Sequence, residues 1–484
     1  MSKEIIFDPT PLYLRKRYLI YILGFFGYLN LYTMRVDFTI AIIKLTENRT
    51  VNNEDGSYTY EQHFNWTNEE KGIALSTFFY GYIGTQVIGG YIATKFSGRL
   101  VFGTGILGAA LMTFFTPILC YQGISYLYVS RIIIGICSGL SYPSINAVYD
   151  KWCPPYERSR ASSFGISGVY VGTIIGLSLS GYIAICHRWE WIFYGFGIIA
   201  TVWSILWFII IKDSPADDDW ILKSEKKFLL DSLNLVESTG TPWRAILTSL
   251  PVYAIGIAHF AYCWGYNTYL TIIPLYLQDI LEYDTNGHHH TVITSISYIL
   301  ITLLLLPSGY LADWLQVNNY LSTTQVRKFF NNISFFLQMA LLLMSGYFKD
   351  LAAVITCSSL SVGIGALAMS GFLANSLDIA PQYSSIILGL SNSFAVLPGV
   401  LLPVLSGHII RTPADYEFKS MFYIACAIYL FGFFFYSIFA SGKVQPWANL
   451  NRQSSISLEI LESDITSQGV SRENSKFRKN KNEC

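Results

Sequence analysis

The sequence predicts an all-α polytopic membrane protein of about twelve transmembrane helices in two six-helix pseudo-repeats. Three observations predict it: an apolar composition with few charges, apolar runs of about twenty residues that recur along the chain, and a polar stretch near the midpoint. Of the 484 residues, 52% are hydrophobic and 13% are charged, against roughly 25% charged in an average soluble domain. Tyr, Phe and Trp make up 16%, and such rings collect where hydrocarbon meets water. The lipid bilayer is therefore the expected surrounding. The formal net charge is zero, so nothing in the charge balance implies a nucleic acid partner. The eight cysteines show no CxxC or metal-ligand spacing. They read as small apolar packing residues, and neither a metal nor a cofactor is expected. Met1 to Thr10 is polar and is followed by Arg15-Lys16-Arg17. It lacks the apolar core and small-residue site of a cleaved leader, so the first apolar run reads as a retained span.

Crossing about 30 Å of hydrocarbon takes roughly 20 helical residues. Runs of that length lie near 18–42, 71–94, 99–119, 124–149, 161–186, 190–211, 249–280, 291–312, 326–347, 351–376, 384–410 and 419–440. Two polar interruptions stand out. One is 43–70; the other is 212–248, which carries Asp217-Asp218-Asp219 with Lys223, Lys226 and Lys227. The second divides the chain into an N-terminal half (1–211), a cytosolic linker (212–248), a C-terminal half (249–441) and a disordered cytosolic tail (442–484).

Lys and Arg set the orientation. With the N-terminus in the cytosol, 23 of the 32 fall on the cytosolic side. Seven fall on the other (Lys44, Arg49, Lys71, Arg188, Lys349, Arg411 and Lys419), and two lie inside spans. This bias places both termini in the cytosol. The 43–70 loop then faces outward, and it carries two N-glycosylation acceptors, Asn48-Arg49-Thr50 and Asn65-Trp66-Thr67. Asn65 sits only a few residues from the second span, so Asn48 is the better acceptor. His288-His289-His290 falls in the outer loop before the eighth span and reads as solvated.

An internal repeat supports the two halves. Gly90-Tyr91-Ile92-Ala93 closes the second span, and Gly309-Tyr310-Leu311-Ala312 closes the eighth. Parallel six-helix repeats about an axis along the membrane normal form a central site between halves that rock around it.

Well inside the spans only Arg35, Asp37 and Arg131 are charged. Ionisable groups there are costly unless they meet a partner or a watery pocket. A guanidinium offers a planar fork of donors suited to carboxylate or phosphate oxygens, so Arg35 and Arg131 together would form an anion clamp. The alternative is that they pair with buried carboxylates or carbonyls and fix helix packing. Two residues turn a helix by about 200°, so Asp37 faces away from Arg35 and must meet another helix or water. Ser138 and Tyr142 fall on the stripe of Arg131. No nucleotide loop, HExxH or GxSxG signature is present, and no enzyme is expected.

Several stretches carry a resemblance: GGYIATKFSGR (89–99), MRVDFTIAI (34–42), YPSINAVYDKWCPPYERSR (142–160), LSTTQVRK (321–328), LDIAPQYSSIILG (377–389) and FASGKVQPWA (439–448). They resemble the major facilitator superfamily and, within it, the anion transporter family of sialin, the vesicular glutamate transporters and the sodium–phosphate cotransporters. The resemblance implies the major facilitator fold and a secondary transporter of small organic or inorganic anions, with a co-transported proton or sodium. It assigns Arg35 and Arg131 to the substrate; Ser138, Tyr142 and Tyr262 are expected to shape the pocket around them. Asp37 and His259 are the candidates for coupling, and a packing role is the alternative for His259. Lys95, Arg99, Asp150, Glu157, Arg158, Arg160, Asp313 and Asp378 would latch the cytosolic side, with topology and loop packing as the alternative.

The chain departs from the family at three informative places. Ser138 stands where many relatives have Glu, Asp37 where the family more often has Asn, and Tyr262 where the vesicular glutamate transporters have Arg. The first leaves proton, sodium and membrane potential open as drivers, and the last disfavours glutamate. The plasma membrane and endolysosomal or vesicular membranes both remain open. A non-transporting sensor or scaffold is the reading from another class.

Overall fold

Residues 10–11, 14–46, 49–52, 58–61, 64–233, 240–283, 288–412 and 414–448 are described by the structure, a computed structural model. The first group of helices comprises α1 (Lys16–Leu45), α2 (Asn68–Lys95), α3 (Gly98–Gln122), α4 (Ile124–Trp152), α5 (Arg158–Cys186) and α6 (Glu190–Ile210). Two short helices follow, α7 (Lys223–Leu233) and α8 (Trp243–Thr248). The second group is α9 (Leu250–Asp279), α10 (His288–Val317), α11 (Thr323–Tyr347), α12 (Leu351–Ala368), α13 (Ala374–Ile379), α14 (Ser384–Ile409) and α15 (Asp415–Phe439). A π-helical turn, Met369–Leu373, joins α12 to α13, so the two make one continuous rod. Counted this way, the described residues form the twelve long rods that the hydropathy pattern predicts.

Ten of these helices are long and apolar enough to cross a membrane by length and composition. The two outside that set are α2 and α9. Their sequences are rich in Gly, Tyr and polar residues because both lie against other helices: α2 between α4 and α14, and α9 between α14 and α15. Backbones come close where side chains are absent. A Cβ on Gly135 of α4 would stand 2.1 Å from the Phe78 carbonyl oxygen of α2, and one on Gly168 of α5 would stand 2.2 Å from that of Phe25 on α1. Small residues permit such approach between membrane helices.

Within the first group, α2 and α3 pack on α4, α1 packs on α5, and α6 closes on α3 and α1. In the second, α10 and α11 flank α12, and α14 and α15 flank α9. The groups meet along one seam, α14 against α2 and α4 and α10 against α5. One end of the molecule carries α7 and α8 and is called here the linker face; the opposite end is the hairpin face. The hairpin is an addition to the expected 43–70 loop. Strands β1 (Arg49–Asn52) and β2 (Tyr58–Glu61) pair antiparallel, and Phe64 then stacks on Trp66 at 4.8 Å. Thr67 caps α2 in a reciprocal box with Glu70.

Two segments differ from expectation, and the linker, expected only as a connection, gains a defined place. His288–His290 form the first turn of α10, where a loop was expected. The linker is seated: Glu225 of α7 is fully buried and accepts the backbone N–H groups of Lys16 at 2.7 Å and Arg17 at 3.3 Å. Residues 442–448, expected to begin a disordered tail, are held by hydrogen bonds. The Gly442 N–H donates to Thr324 Oγ1 at 2.9 Å, that of Gln445 to the Ile379 carbonyl at 2.8 Å, and Gln382 Nε2 to the Ala448 carbonyl at 2.6 Å. The rest of the expected tail, 449–484, lies outside the described residues.

Candidate functional site

Among the described residues, two clusters of ionisable side chains bear on the site, one in the middle of the first group and one around the seam at the linker face. The central cluster starts from α1. Arg35 is half-buried, and its guanidinium carbon lies 5.1 Å from the ring centre of Tyr32 and 5.2 Å from those of Phe78, Phe79 and Tyr82. Its Nη1 donates to Tyr32 Oη at 3.3 Å. Among the described residues no carboxylate pairs with it. Ring faces hold a cation through their quadrupole, each for about 0.5–2 kcal/mol, and apart from the bond to Tyr32 the donors of the fork have no described partner.

Arg131 of α4 is buried. Its guanidinium carbon lies 4.6 Å from the ring centre of Phe38 and 5.4 Å from that of Phe78, so Phe78 is shared by both arginines. Its Nη2 donates to the Arg35 carbonyl at 3.4 Å, and its Nη1 is 4.0 Å from Asp37 Oδ1. Asp37 meets a neighbouring helix, as the helical turn requires. Asp37 Oδ2 and Arg131 Nε are buried without a hydrogen-bond partner. The cluster therefore holds two cations against one carboxylate.

Ser138 and Tyr142 are buried on the same helix. The Tyr142 carbonyl accepts from Tyr28 Oη at 2.9 Å. Tyr262 reaches the seam, where its hydroxyl is 2.9 Å from that of Tyr170. Beside it, Tyr266 donates to Tyr298 at 2.7 Å, and Asn392 Nδ2 donates to Tyr82 Oη at 2.9 Å. Tyr82, Tyr170, Tyr266, Tyr298 and Asn392 were not picked from the sequence. The signal of the four tyrosines is a phenol at mid-span, away from the interfaces where phenols are expected. His259 is buried, with Nδ1 2.8 Å from Ser391 Oγ and its ring 5.0 Å from that of Phe372. It makes no described contact with Arg35, Asp37 or Arg131, and its surroundings are those of a packing residue.

The linker-face cluster crosses the seam. Asp313 of α10 accepts the backbone N–H groups of Ser159 at 3.1 Å and Arg160 at 2.8 Å, with Arg160 Nε at 3.3 Å. A carboxylate from the second group thus caps the N-terminus of α5 in the first, where the helix dipole favours it. Asp378 of α13 takes Arg327 Nε at 2.6 Å and lies 3.7 Å from Arg158 Nη1. Arg327, fully buried, also donates to Ser159 Oγ at 2.7 Å and to the Ser370 carbonyl at 2.9 Å.

Glu157 stays within the first group, with Arg17 Nε at 3.0 Å and Arg160 Nη2 at 3.8 Å. Asp150 lies within electrostatic reach of Arg158 and Lys151 and has no described partner in the second group. Lys95 and Arg99 do not join the seam: exposed Lys95 lies over Tyr91 and Phe96, and Arg99 Nη2 donates to the Phe208 carbonyl at 2.6 Å. Arg327 and Arg17 were missed because each sits at the edge of a span, where a cation reads as a topology signal. Of the two glycosylation acceptors, Asn65 is exposed on the hairpin face and Asn48 lies outside the described residues.

Two helical groups meeting along a seam, with cations held in the apolar interior, define a multi-pass integral membrane protein of the transporter type. The profile of the Major Facilitator Superfamily matches residues 20–403. Human sialin is 36% identical over 459 residues, covering 91% of this chain and 92% of that protein. Vesicular glutamate transporter 2 of Bos taurus is 32% identical, covering 93% of this chain and 78% of its own length. The chain belongs to the major facilitator superfamily and, within it, to the sialin and vesicular glutamate transporter group. Solved structures agree on the fold. The proton:xylose symporter XylE, bound to 6-bromo-6-deoxy-D-glucose, gives a TM-score of 0.65 at 15% identity, with 89% of this chain and 97% of that one covered. FucP in the outward conformation gives 0.61 at 12% identity, with coverage of 88% and 100%.

Proposed function

We propose that this protein is a secondary active transporter of small organic or inorganic anions that works by alternating access with a proton as the coupled ion. One observation carries the reading. Guanidinium groups from α1 and α4 share the ring of Phe78 against a single carboxylate, which leaves a net positive charge inside the bundle. Charge of one sign in a low-dielectric setting favours the opposite ion strongly. Arg35, held by four ring faces and one bond to Tyr32, makes the first contact, and Arg131 completes the clamp. Ser138, Tyr142 and Tyr262 bound the pocket. On this reading the linker face is cytosolic. The bonds from Asp313 to α5 and from Asp378 to Arg158 keep it shut, and the site opens toward the hairpin side. The membrane is endolysosomal, vesicular or plasma.

The test is uptake of radiolabelled sialate, glutamate, urate and phosphate into proteoliposomes under an imposed proton gradient, with sodium varied at fixed pH. Accumulation of at least one anion driven by the proton gradient is expected, with loss in Arg35→Ala and Arg131→Ala. Accumulation that follows external sodium instead would replace the proton by sodium. Unchanged uptake in both variants would end the clamp reading, and no flux of any anion would favour a sensor or scaffold.

A further inference from the structure

The pair Asp37–Arg131 is built more loosely than the pair Arg327–Asp378. In the tight pair at the linker face, Arg327 holds Asp378 at 2.6 Å and spends a second nitrogen on Ser159 and Ser370, with only Nη2 left without a partner. Asp37 and Arg131 are as deeply buried, yet their approach is 4.0 Å, and each keeps an atom with no hydrogen-bond partner, Asp37 Oδ2 and Arg131 Nε. Asp37 Oδ1 is occupied by the backbone N–H of Phe38. A buried carboxylate with an unused oxygen depends for its charge chiefly on its counter-ion, here with the help of that one N–H.

The groups around Asp37 leave it a single electrostatic partner. From α4 that is Arg131, with Cys120 of α3 beyond it. Arg35 of the same helix points to the other side and is held by rings of α1 and α2. From α5, the residues packed against α1 include Gly168, Gly172 and Gly176. From α6, Trp203 bonds the Leu23 carbonyl. None of these adds a charge.

We infer that a bound anion takes Arg131 away from Asp37, and that the released carboxylate binds the proton that travels with the anion. This rests on the reading of Arg35 and Arg131 as the anion site. The exchange balances. Empty, the cluster holds two guanidinium cations and one carboxylate, a net charge of one positive. Loaded with a monoanion on the guanidinium groups and a proton from the entry-side water on the Asp37 carboxylate, it carries the same net charge. When the anion leaves, Arg131 recovers its counter-ion and Asp37 returns the proton to the water on that side. Empty and loaded forms thus meet the same electrostatic cost in the membrane interior, and uptake of one without the other would change it. Asp37 also supplies the titratable group that the Arg131 face of α4 lacks, where Ser138 cannot ionise.

The experiment uses the full-length purified protein and four probe anions, sialate, glutamate, urate and phosphate. Anion is added in weakly buffered solution, and proton uptake, anion binding and infrared difference spectra are recorded together. For the anion that binds, wild-type protein is expected to take up about one proton per monoanion, to develop a protonated-carboxyl band, and to bind about tenfold more tightly per unit of pH lowered while Asp37 is ionised in the empty site. Asp37→Asn, close to isosteric, is expected to bind and exchange the anion with no proton uptake, no such band and a flat pH profile. Asp37→Glu is expected to restore the proton and shift the band. Proton uptake persisting in Asp37→Asn, or wild-type binding without a proton, would overturn the inference. Failure of the anion-site reading is seen separately, as binding unaffected by Arg35→Ala and Arg131→Ala.

Discussion

Gly90 and Gly309 occupy equivalent places in the two groups, and at each a helix of one group crosses the other with no room for a side chain. A Cβ on Gly90 of α2 would stand 2.4 Å from the Ser385 carbonyl oxygen of α14. One on Gly309 of α10 would stand 2.7 Å from Ser163 Oγ and 2.9 Å from the Ser159 carbonyl oxygen of α5. The four-residue repeat that betrayed the pseudo-symmetry in the sequence is thus a pair of contact points on the seam.

A methyl at either contact point should wedge the linker face open. Gly90→Ala and Gly309→Ala are expected to raise several-fold the rate at which a hydrophilic maleimide labels Ser376→Cys, a position fully buried in this state. Gly195→Ala, where nothing lies within 4 Å of the added atom, should leave the rate unchanged. Equal rates in all three would mean that the seam tolerates the extra atom.

Arg327 and Asp378 should prove expensive to separate. Removing one member of a buried pair leaves the other charge unmatched, typically at a cost of about 3–5 kcal/mol. Arg327→Ala is expected to lower the thermal midpoint in detergent by several degrees. Arg327→Lys should recover little, because one ammonium cannot reach Asp378, Ser159 and the Ser370 carbonyl together. A midpoint within a degree of wild type for Arg327→Ala would show that the pair contributes nothing to the folded state.

Arg35→Lys retains the charge but loses the flat face that four rings contact. Uptake of the transported anion is expected to fall at least about tenfold, equivalent to about 1.4 kcal/mol, while the thermal midpoint stays near that of wild type. Full activity in the lysine variant would assign recognition to charge alone.

Glycosylation reports which side the hairpin faces. Expressed in cells that glycosylate, the protein should shift in mobility on glycosidase treatment. Asn48→Gln should abolish that shift and Asn65→Gln should leave it, because Asn65 lies two residues before the cap of α2. No shift in the wild type would contradict the orientation proposed here.

The helix pattern was legible because hydrocarbon imposes one length and one composition on every span, and α2 and α9 escaped only the strictest form of that rule by facing other helices. Arg35, Asp37 and Arg131 were legible for the related reason that charge inside a span is rare. Arg327 was not, since four residues into α11 a cation is as readily a positive-inside signal as a gate. Nor were Tyr170, Tyr266 and Tyr298, because a phenol at mid-span and one at an interface look alike until the partner hydroxyl is seen. The beginning of the tail was misjudged for a comparable reason: Gln445 is ordered by Ile379 and Ala448 by Gln382, contacts between segments distant in sequence.

Glu225 ties α7 to the first turn of α1, so the connecting segment is not shared evenly between the moving parts. Through Glu225, α7 belongs with the first group. A probe placed on α7 would report on one half of the molecule only. A pair of probes, one on α7 and one on α11, would read the angle between the halves directly, without touching the site where the ions meet.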